Sequence, residues 1–255
     1  MWKGNLLACG SDAKTVKGNG DEYLTAIMYM APWKSAGINV CPMAEVAQCI
    51  DGCLNTAGRG QMGSVQAGRV RKTEWFAKDR DGFMQQLAKD VASFVRYCEK
   101  RNVQPCVRLN GTSDIRWELQ TVGNQTLMEM FPTVQWYDYT KIANRKVPAN
   151  YHLTFSYSAA NPAYAKQVQI AKDRGMNIAV VFRSKVNIPA MFMGLPTIDG
   201  DRDDLRFLDP TQSIVALYAK GKAKRDTSGF VVGRFHYAKG GVAKAKHDTS
   251  GFVQD

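Results

Sequence analysis

The sequence has no long apolar run. No stretch approaches the ~20 apolar residues that a helical membrane span needs, so no membrane contact is expected. Histidine is scarce, with three in 255 residues. His152, His236 and His247 are too scattered to give the usual Cys/His zinc-finger spacings, and no Ser/His/Asp order supports a hydrolase triad. Six cysteines in a chain this long are too few for a disulfide-dense secreted scaffold. The first ten residues contain no apolar run of signal-peptide length. Together these absences point to a reducing cytosol, where thiols stay free for metal binding or catalysis.

Hydrophobic residues make up 45% and charged residues 22% of the chain, the balance of a globular protein. The length suits one α/β unit of barrel size. The formal charge is +11, and the excess is concentrated near the C-terminus. Between Tyr218 and His247, Lys220, Lys222, Lys224, Arg225, Arg234, Lys239, Lys244 and Lys246 face a single acid, Asp226. We therefore expect one α/β domain over residues 1–217, followed by a basic extension over 218–255. Such a tail is either a solvated terminus or a surface for nucleic acid. It carries a duplication: Tyr218-Ala-Lys-Gly221 and Asp226-Thr-Ser-Gly-Phe-Val231 recur at Tyr237–Gly240 and Asp248–Val253. Two copies are too few for a solenoid.

Glu22 to Met30 reads as a first strand that stops at Pro32. Ser35 to Gly63 then has three cysteines and little apolar periodicity, which predicts a long functional loop with room for one short helix. From Ser64 to about Asn102 the pattern is helical. Phe83, Leu87, Val91, Phe94, Val95 and Cys98 share one apolar stripe, which makes Cys98 a core residue.

Short apolar runs follow at 105–109, 134–137, 151–155, 177–182, 197–198 and 213–218. Helical stretches such as 162–174 separate several of them, and Gly175 stands where a C-cap glycine belongs. Strand–helix alternation predicts a parallel sheet with right-handed crossovers. The expected class is α/β, as a partial or open (β/α) barrel with the cysteine loop after its first strand. A flat doubly wound sheet is the alternative.

Polar side chains gather at the C-terminal ends of these runs, the edge where parallel α/β folds place their ligands. Asn110, Thr112, Asp114, Asp138, Lys141, Asp199 and Asp201 are the candidate ligand-binding residues. Asp114 and Asp138 would accept hydrogen bonds from a cationic or hydroxylated small molecule, and Lys141 would neutralise a carboxylate.

Cys41, Cys49 and Cys53 are the candidate metal ligands. Cys49 and Cys53 lie ~6 Å apart along the axis if they share one helical turn. A continuous helix would put Cys41 ~12 Å from Cys49, so the chain must fold back between them if all three bind together. Pro42 and Gly52 favour such irregularity. Three soft thiolates without a neighbouring histidine suit an iron–sulfur cluster or zinc; simple packing is the third reading.

A cysteine loop directly after the first strand of a parallel half-barrel resembles the radical S-adenosylmethionine enzymes. Their three-residue gap between the first two cysteines is matched by Cys49 and Cys53, while Cys41 lies upstream instead of two residues beyond Cys53. That resemblance implies a 4Fe-4S cluster, with S-adenosylmethionine as its co-ligand.

Other stretches resemble a family of phage proteins called gene product eighty-eight. They are Asn39–Pro42, Cys49–Gly60, Arg71–Phe76, Val107–Ile115, Tyr137–Lys141, Ile198–Asp201 and Asp204–Phe207. This second resemblance implies a phage origin and the cytoplasm of the infected host cell, and no particular activity.

Two further motifs are weak. Gly58-Arg-Gly60-Gln-Met-Gly63 matches G-x-G-x-x-G but follows a loop rather than a strand, so it reads as a flexible turn. Asp199-Gly-Asp-Arg-Asp-Asp204 opens like a calcium loop, yet has Asp204 at the sixth position and Pro210 at the twelfth, where glycine and glutamate are required. Two functions remain in view: a phage-encoded iron–sulfur enzyme of radical S-adenosylmethionine-like architecture acting on a small ligand, and a zinc-stabilised nucleic-acid-binding phage protein.

Overall fold

A computed structural model describes residues 4–9, 22–186 and 188–233. It shows a mixed α/β fold around one nine-stranded sheet. The strands are β1 (Ala8–Cys9), β2 (Tyr23–Ile27), β3 (Gln104–Arg108), β6 (Gln135–Thr140), β7 (Tyr151–Ser156), β8 (Ile178–Phe182), β9 (Met191–Phe192), β10 (Leu195–Asp199) and β11 (Ile214–Tyr218). A separate hairpin joins β4 (Thr121–Val122) to β5 (Gln125–Thr126). Four α-helices accompany them: α1 (Gly63–Lys78), α2 (Arg80–Lys100), α3 (Leu127–Met130) and α4 (Ala165–Asp173).

The sheet order is β1-β2-β3-β6-β7-β8-β11-β10-β9. From β2 to β10 every pairing is parallel, and only the short edge strands β1 and β9 run antiparallel. The sheet is therefore open, with two edges, where the sequence suggested a partial or open barrel. Strands β2, β3, β6, β7 and β8 step across it in one direction. Right-handed crossovers stepping one way put their connections on one face, which argues against a doubly wound sheet.

The packing agrees. Val107, Trp136 and Leu153 meet Phe83, Leu87, Val91 and Phe94 of α2 in one core. Phe155, Ile178, Val180 and Ile214 meet Val168 and Ala171 of α4 in a second. Successive side chains of these strands point to opposite faces, and their near-continuous burial shows that both faces are covered.

The step from β10 back to β11 reverses direction, and its connection covers the opposite face. Phe207 makes edge contacts with Tyr23 and Tyr137 there, and Asp204 pairs with Arg108. That face is polar and aromatic beneath its cover.

The predicted helix from Ser64 to Asn102 is two helices. Asp79 leaves helical geometry at φ −143°, ψ 78°, and its carboxylate accepts the Gly82 N–H at 2.9 Å, capping α2. Periodicity alone cannot see such a break, because the apolar stripe continues on both sides. Cys98 is fully buried in the core, as its place on the stripe required. Gly175 takes φ +65° after α4. Among the described residues no helix is long and apolar enough to cross a membrane.

The residues 218–233, read from sequence as the start of an extension, continue from β11. They pack Ala219, Ala223, Phe230 and Val231 against the cysteine loop. The remainder of the basic tail and the second repeat copy lie outside the described residues.

Gly111 sets how closely the loop after β3 follows β2. A Cβ at that position would stand 2.7 Å from the Met28 carbonyl oxygen and 2.7 Å from the Tyr29 ring. Gly111→Ala should therefore destabilise the fold by about 1–3 kcal/mol, measured as a lower denaturant midpoint with an unchanged m-value. An unchanged midpoint would show that the loop yields freely.

Candidate functional site

Residues 33–62 form the loop after β2 and lie over the C-terminal edge of the sheet. The loop opens on Trp33, at φ +50°, whose N–H donates to Cys41 Sγ at 3.3 Å. Asn39 Oδ1 accepts the Cys41 N–H at 2.9 Å, and the Cys41 thiol faces the Thr112 carbonyl at 3.7 Å. The Asp114 N–H donates to the Val40 carbonyl at 2.8 Å, fastening this loop to the one after β3.

Between Cys41 and Cys49 the chain does fold back. One helical turn forms, with Ala47 N–H on the Met43 carbonyl, and Gln48 at φ +49° ends it. The Cys49 thiol then faces the Ala44 carbonyl at 3.9 Å. Cys53 follows a turn in which its N–H meets the Ile50 carbonyl at 3.3 Å.

All three thiols are free and partly buried, and they lie within electrostatic reach of one another. Burial pushes Cys41 up to about 12, only partly offset by the Trp33 N–H. Burial also raises Cys53, while the cations Lys141 and Arg69 pull it back. Thiols held neutral in this way are poor nucleophiles at neutral pH. Among the described residues no three His, Cys, Asp or Glu side chains are close enough to share one metal ion.

Two cations adjoin the thiols. Lys141 Nζ donates to Ser156 Oγ at 2.6 Å and lies 5.2 Å from the Phe230 ring centre. Arg69, on α1, stacks over the Tyr29 ring at 4.9 Å and donates to Asn55 Oδ1. Its Nε is buried without a hydrogen-bond partner among the described residues. The glycine-rich turn lies beside it, with Gly60 backed by the guanidinium.

The structure gives the other predicted residues more specific places. Asn110 Oδ1 accepts from Ser113 Oγ, the Ile115 N–H and Trp117 Nε1, at 2.8, 2.9 and 3.0 Å. Thr112 Oγ1 donates to the Met30 carbonyl at 2.5 Å. Asp138 accepts the Leu109 and Asn110 N–H groups and the Tyr151 hydroxyl. Asp114 accepts Thr140 Oγ1 and the Lys141 N–H, both at 2.8 Å, and pairs with Arg145 at 3.3 Å. These four side chains bind neighbouring loops to each other, while Lys141 acts electrostatically on Cys53.

Asp199 and Asp201 lie elsewhere, at the ends of β10 and β11. With Lys185, Ile188, Thr197 and Ala216 they line a cleft of about 320 Å³. Strand order reverses at this point, which is where open parallel sheets form a crevice. Asp201 pairs with Lys220 at 2.8 Å and accepts the Tyr218 N–H at 3.0 Å.

Comparison with known proteins adds one result. The family model described as Gene product 88 matches residues 5–234. The chain belongs to this family. No curated protein and no solved structure matches it. The Gene product 88 match spans nearly all the described fold. The relation to radical S-adenosylmethionine enzymes stays an expectation from loop position and spacing.

Sequence reasoning missed the arginines. Arg108 bridges Asp138 at 3.9 Å and Asp204, while Arg145 bridges Asp114 and Glu118, the latter at 2.5 Å. A lone charge inside the apolar run 105–109 was the available signal for Arg108. Nothing local marked Arg145, whose partners come from a different loop.

Burial pushes Asp138 up to about 6, against the lowering effect of Arg108 and its hydrogen bonds. Its folded value thus exceeds the unfolded one, so the folded protein holds the extra proton between the two. The resulting stabilisation is complete below the unfolded value and is lost as pH rises through about 6. Acidifying from about pH 7 to about pH 5 should raise stability, with Asp138 contributing about 1 kcal/mol. A urea midpoint that falls across this interval would refute the sign.

Proposed function

We propose that this protein holds an iron–sulfur cluster through Cys41, Cys49 and Cys53 and acts on a small ligand, as an enzyme of radical S-adenosylmethionine-like architecture. One observation carries the reading. A single irregular segment brings three thiols within electrostatic reach of one another at the C-terminal edge of a parallel sheet, with two cations near Cys53.

The donor set fits. The three sulfurs are soft ligands, and three protein ligands would leave one iron of a four-iron cluster open. The thiols must lose their protons to bind, and Lys141 and Arg69 favour the thiolate at Cys53. Trp33 supplies a backbone N–H to Cys41 Sγ, the kind of hydrogen bond that tunes a cluster's potential. When bound, the cluster would supply one-electron chemistry. Around it, Lys141 would orient a ligand carboxylate, and Phe230 would exclude water from the side it covers.

Protein purified without oxygen should be brown and contain iron and acid-labile sulfide. Cys49→Ala and Cys53→Ala should each lose most of the visible absorbance, and cluster retention should fall with acidification as the thiols regain their protons. Colourless protein after anaerobic reconstitution, with Cys49→Ala indistinguishable from it, would refute the proposal.

A second reading has its own support. Arg183, Lys185, Lys222, Lys224 and Arg225 are all exposed. Arg183 ties their two segments together by donating to the Lys224 carbonyl at 2.9 Å. A zinc-stabilised nucleic-acid-binding protein would use them as phosphate contacts. Five such contacts would weaken binding on the order of 10²–10³-fold between about 50 and about 200 mM salt. Lys222→Glu/Lys224→Glu/Arg225→Glu should flatten that dependence in a DNA or RNA titration. No binding at low salt would exclude this reading, and elemental analysis separates zinc from iron.

A further inference from the structure

The C-terminal duplication is closer than the shared hexapeptide first shows. Lys222-Ala-Lys-Arg-Asp-Thr-Ser-Gly-Phe-Val231 recurs 22 residues later as Lys244-Ala-Lys-His-Asp-Thr-Ser-Gly-Phe-Val253, differing only at Arg225 and His247. The structure shows what the first copy does, and therefore what the second is equipped to do.

The first copy carries its own turn. Asp226 Oδ1 accepts the Ser228 hydroxyl at 2.7 Å, Asp226 Oδ2 accepts the Val231 N–H at 2.9 Å, and Ser228 Oγ accepts the Phe230 N–H at 3.2 Å. These bonds need only residues that both copies contain.

The outward contacts are equally portable. Phe230 is 7% exposed and packs its ring on Gly52, where a Cβ would stand 2.7 Å from it. Ala223, which recurs as Ala245, shares this small core, and Cys49 packs against it. Gly229, at φ +96°, lies so close to Ala160 that a Cβ would be 3.2 Å from its Cα. The Gly229 carbonyl accepts the Ala159 N–H at 3.3 Å. The remaining anchors are main-chain groups. Arg183 donates to the Lys224 and Asp226 carbonyls, and the Val232 N–H donates to the Val181 carbonyl at 2.8 Å.

We propose that Lys244–Val253 is a reserve occupant of the groove between the cysteine loop and the ends of β7 and β8, exchanging with Lys222–Val231 within one chain. The first copy is the resident for two reasons. Its tether from β11 is shorter, so closing its loop costs less entropy. It is also followed by Val232, which is buried, where the second copy is followed by Gln254. When the first copy leaves, the second keeps Gly52 and the Cys49–Cys53 segment covered. This inference stands whether or not the cysteines bind metal.

The test is a double-mutant cycle in the full chain, read by thermal melting. Phe252→Ala should leave the melting temperature unchanged. Phe230→Ala should lower it by less than half as much as Phe230→Ala/Phe252→Ala, because the second copy takes over. The idea is overturned if Phe230→Ala and the double variant melt alike, or if Phe230→Ala fails to fold while carrying an intact second copy. Rescue that grows with protein concentration would overturn the in-chain assignment, since the segment would then be docking on a second molecule.

Discussion

Three buried guanidiniums, each held between two carboxylates, fix the loops on which every candidate site stands. Arg108 joins Asp138 to Asp204, Arg145 joins Asp114 to Glu118, and Arg206 joins Asp203 to Asp209. Two of these clamps tie together segments that are distant in the chain. The loop after β3 meets the end of β6, and the connection after β10 is drawn under the sheet to β3. Desolvating such groups costs several kcal/mol per ion, and only dense pairing and hydrogen bonding recover it. Burial is what pushes Asp114, Asp138 and Asp209 upward rather than down, against the pull of their arginines, and at Asp209 the neighbouring carboxylates Asp203 and Asp204 add to it. Donors such as the Leu109, Asn110 and Lys141 N–H groups supply what the arginines do not.

The strands were legible in the sequence because burial on two faces leaves a local mark. Each apolar run from 105–109 to 213–218 coincides with a strand within three residues, and parallel pairing followed from the alternation with helices. What could not be read is what depends on meetings across the sheet. The reversal at β10 and β11, the break at Asp79 and the polar face beneath Phe207 leave no periodic signal. The polar residues at the strand ends were found for a sound reason but given too uniform a role. Asn110 and Asp138 spend their oxygens on neighbouring backbone, a use that residue type alone cannot distinguish from holding a ligand. Phe230 was hidden for a similar reason, since it lies in what composition marks as a basic tail.

The cysteine loop shows how far burial and charge act against each other at one place. Apolar surroundings hold Cys41 and Cys53 protonated, whereas Lys141 and Arg69 favour the charged form at Cys53. A bare loop of this kind is chemically quiet. The same surroundings would strengthen the attraction between thiolates and a bound cation, because the low local dielectric that penalises an isolated charge rewards a paired one. Protection and binding strength thus have a common origin in the packing of Ala47, Ala143 and Phe230 around the loop.

That packing also explains why the end of the chain matters to the middle of the fold. The segment after β11 is rich in lysine, and by composition alone it should stay in water. It is held instead by one aromatic ring on a glycine, one self-contained turn and a few main-chain bonds, and of its described lysines Lys220 alone is shown in an ion pair, with Asp201. Lys222, Lys224 and Arg225 remain exposed while the apolar residues between them face inward. The surface beside the thiols therefore carries exposed positive charge, in addition to Lys141 and the buried Arg69. An anionic ligand or polymer approaching the sheet edge would meet that potential before it met the cysteine loop, whichever chemistry the loop performs.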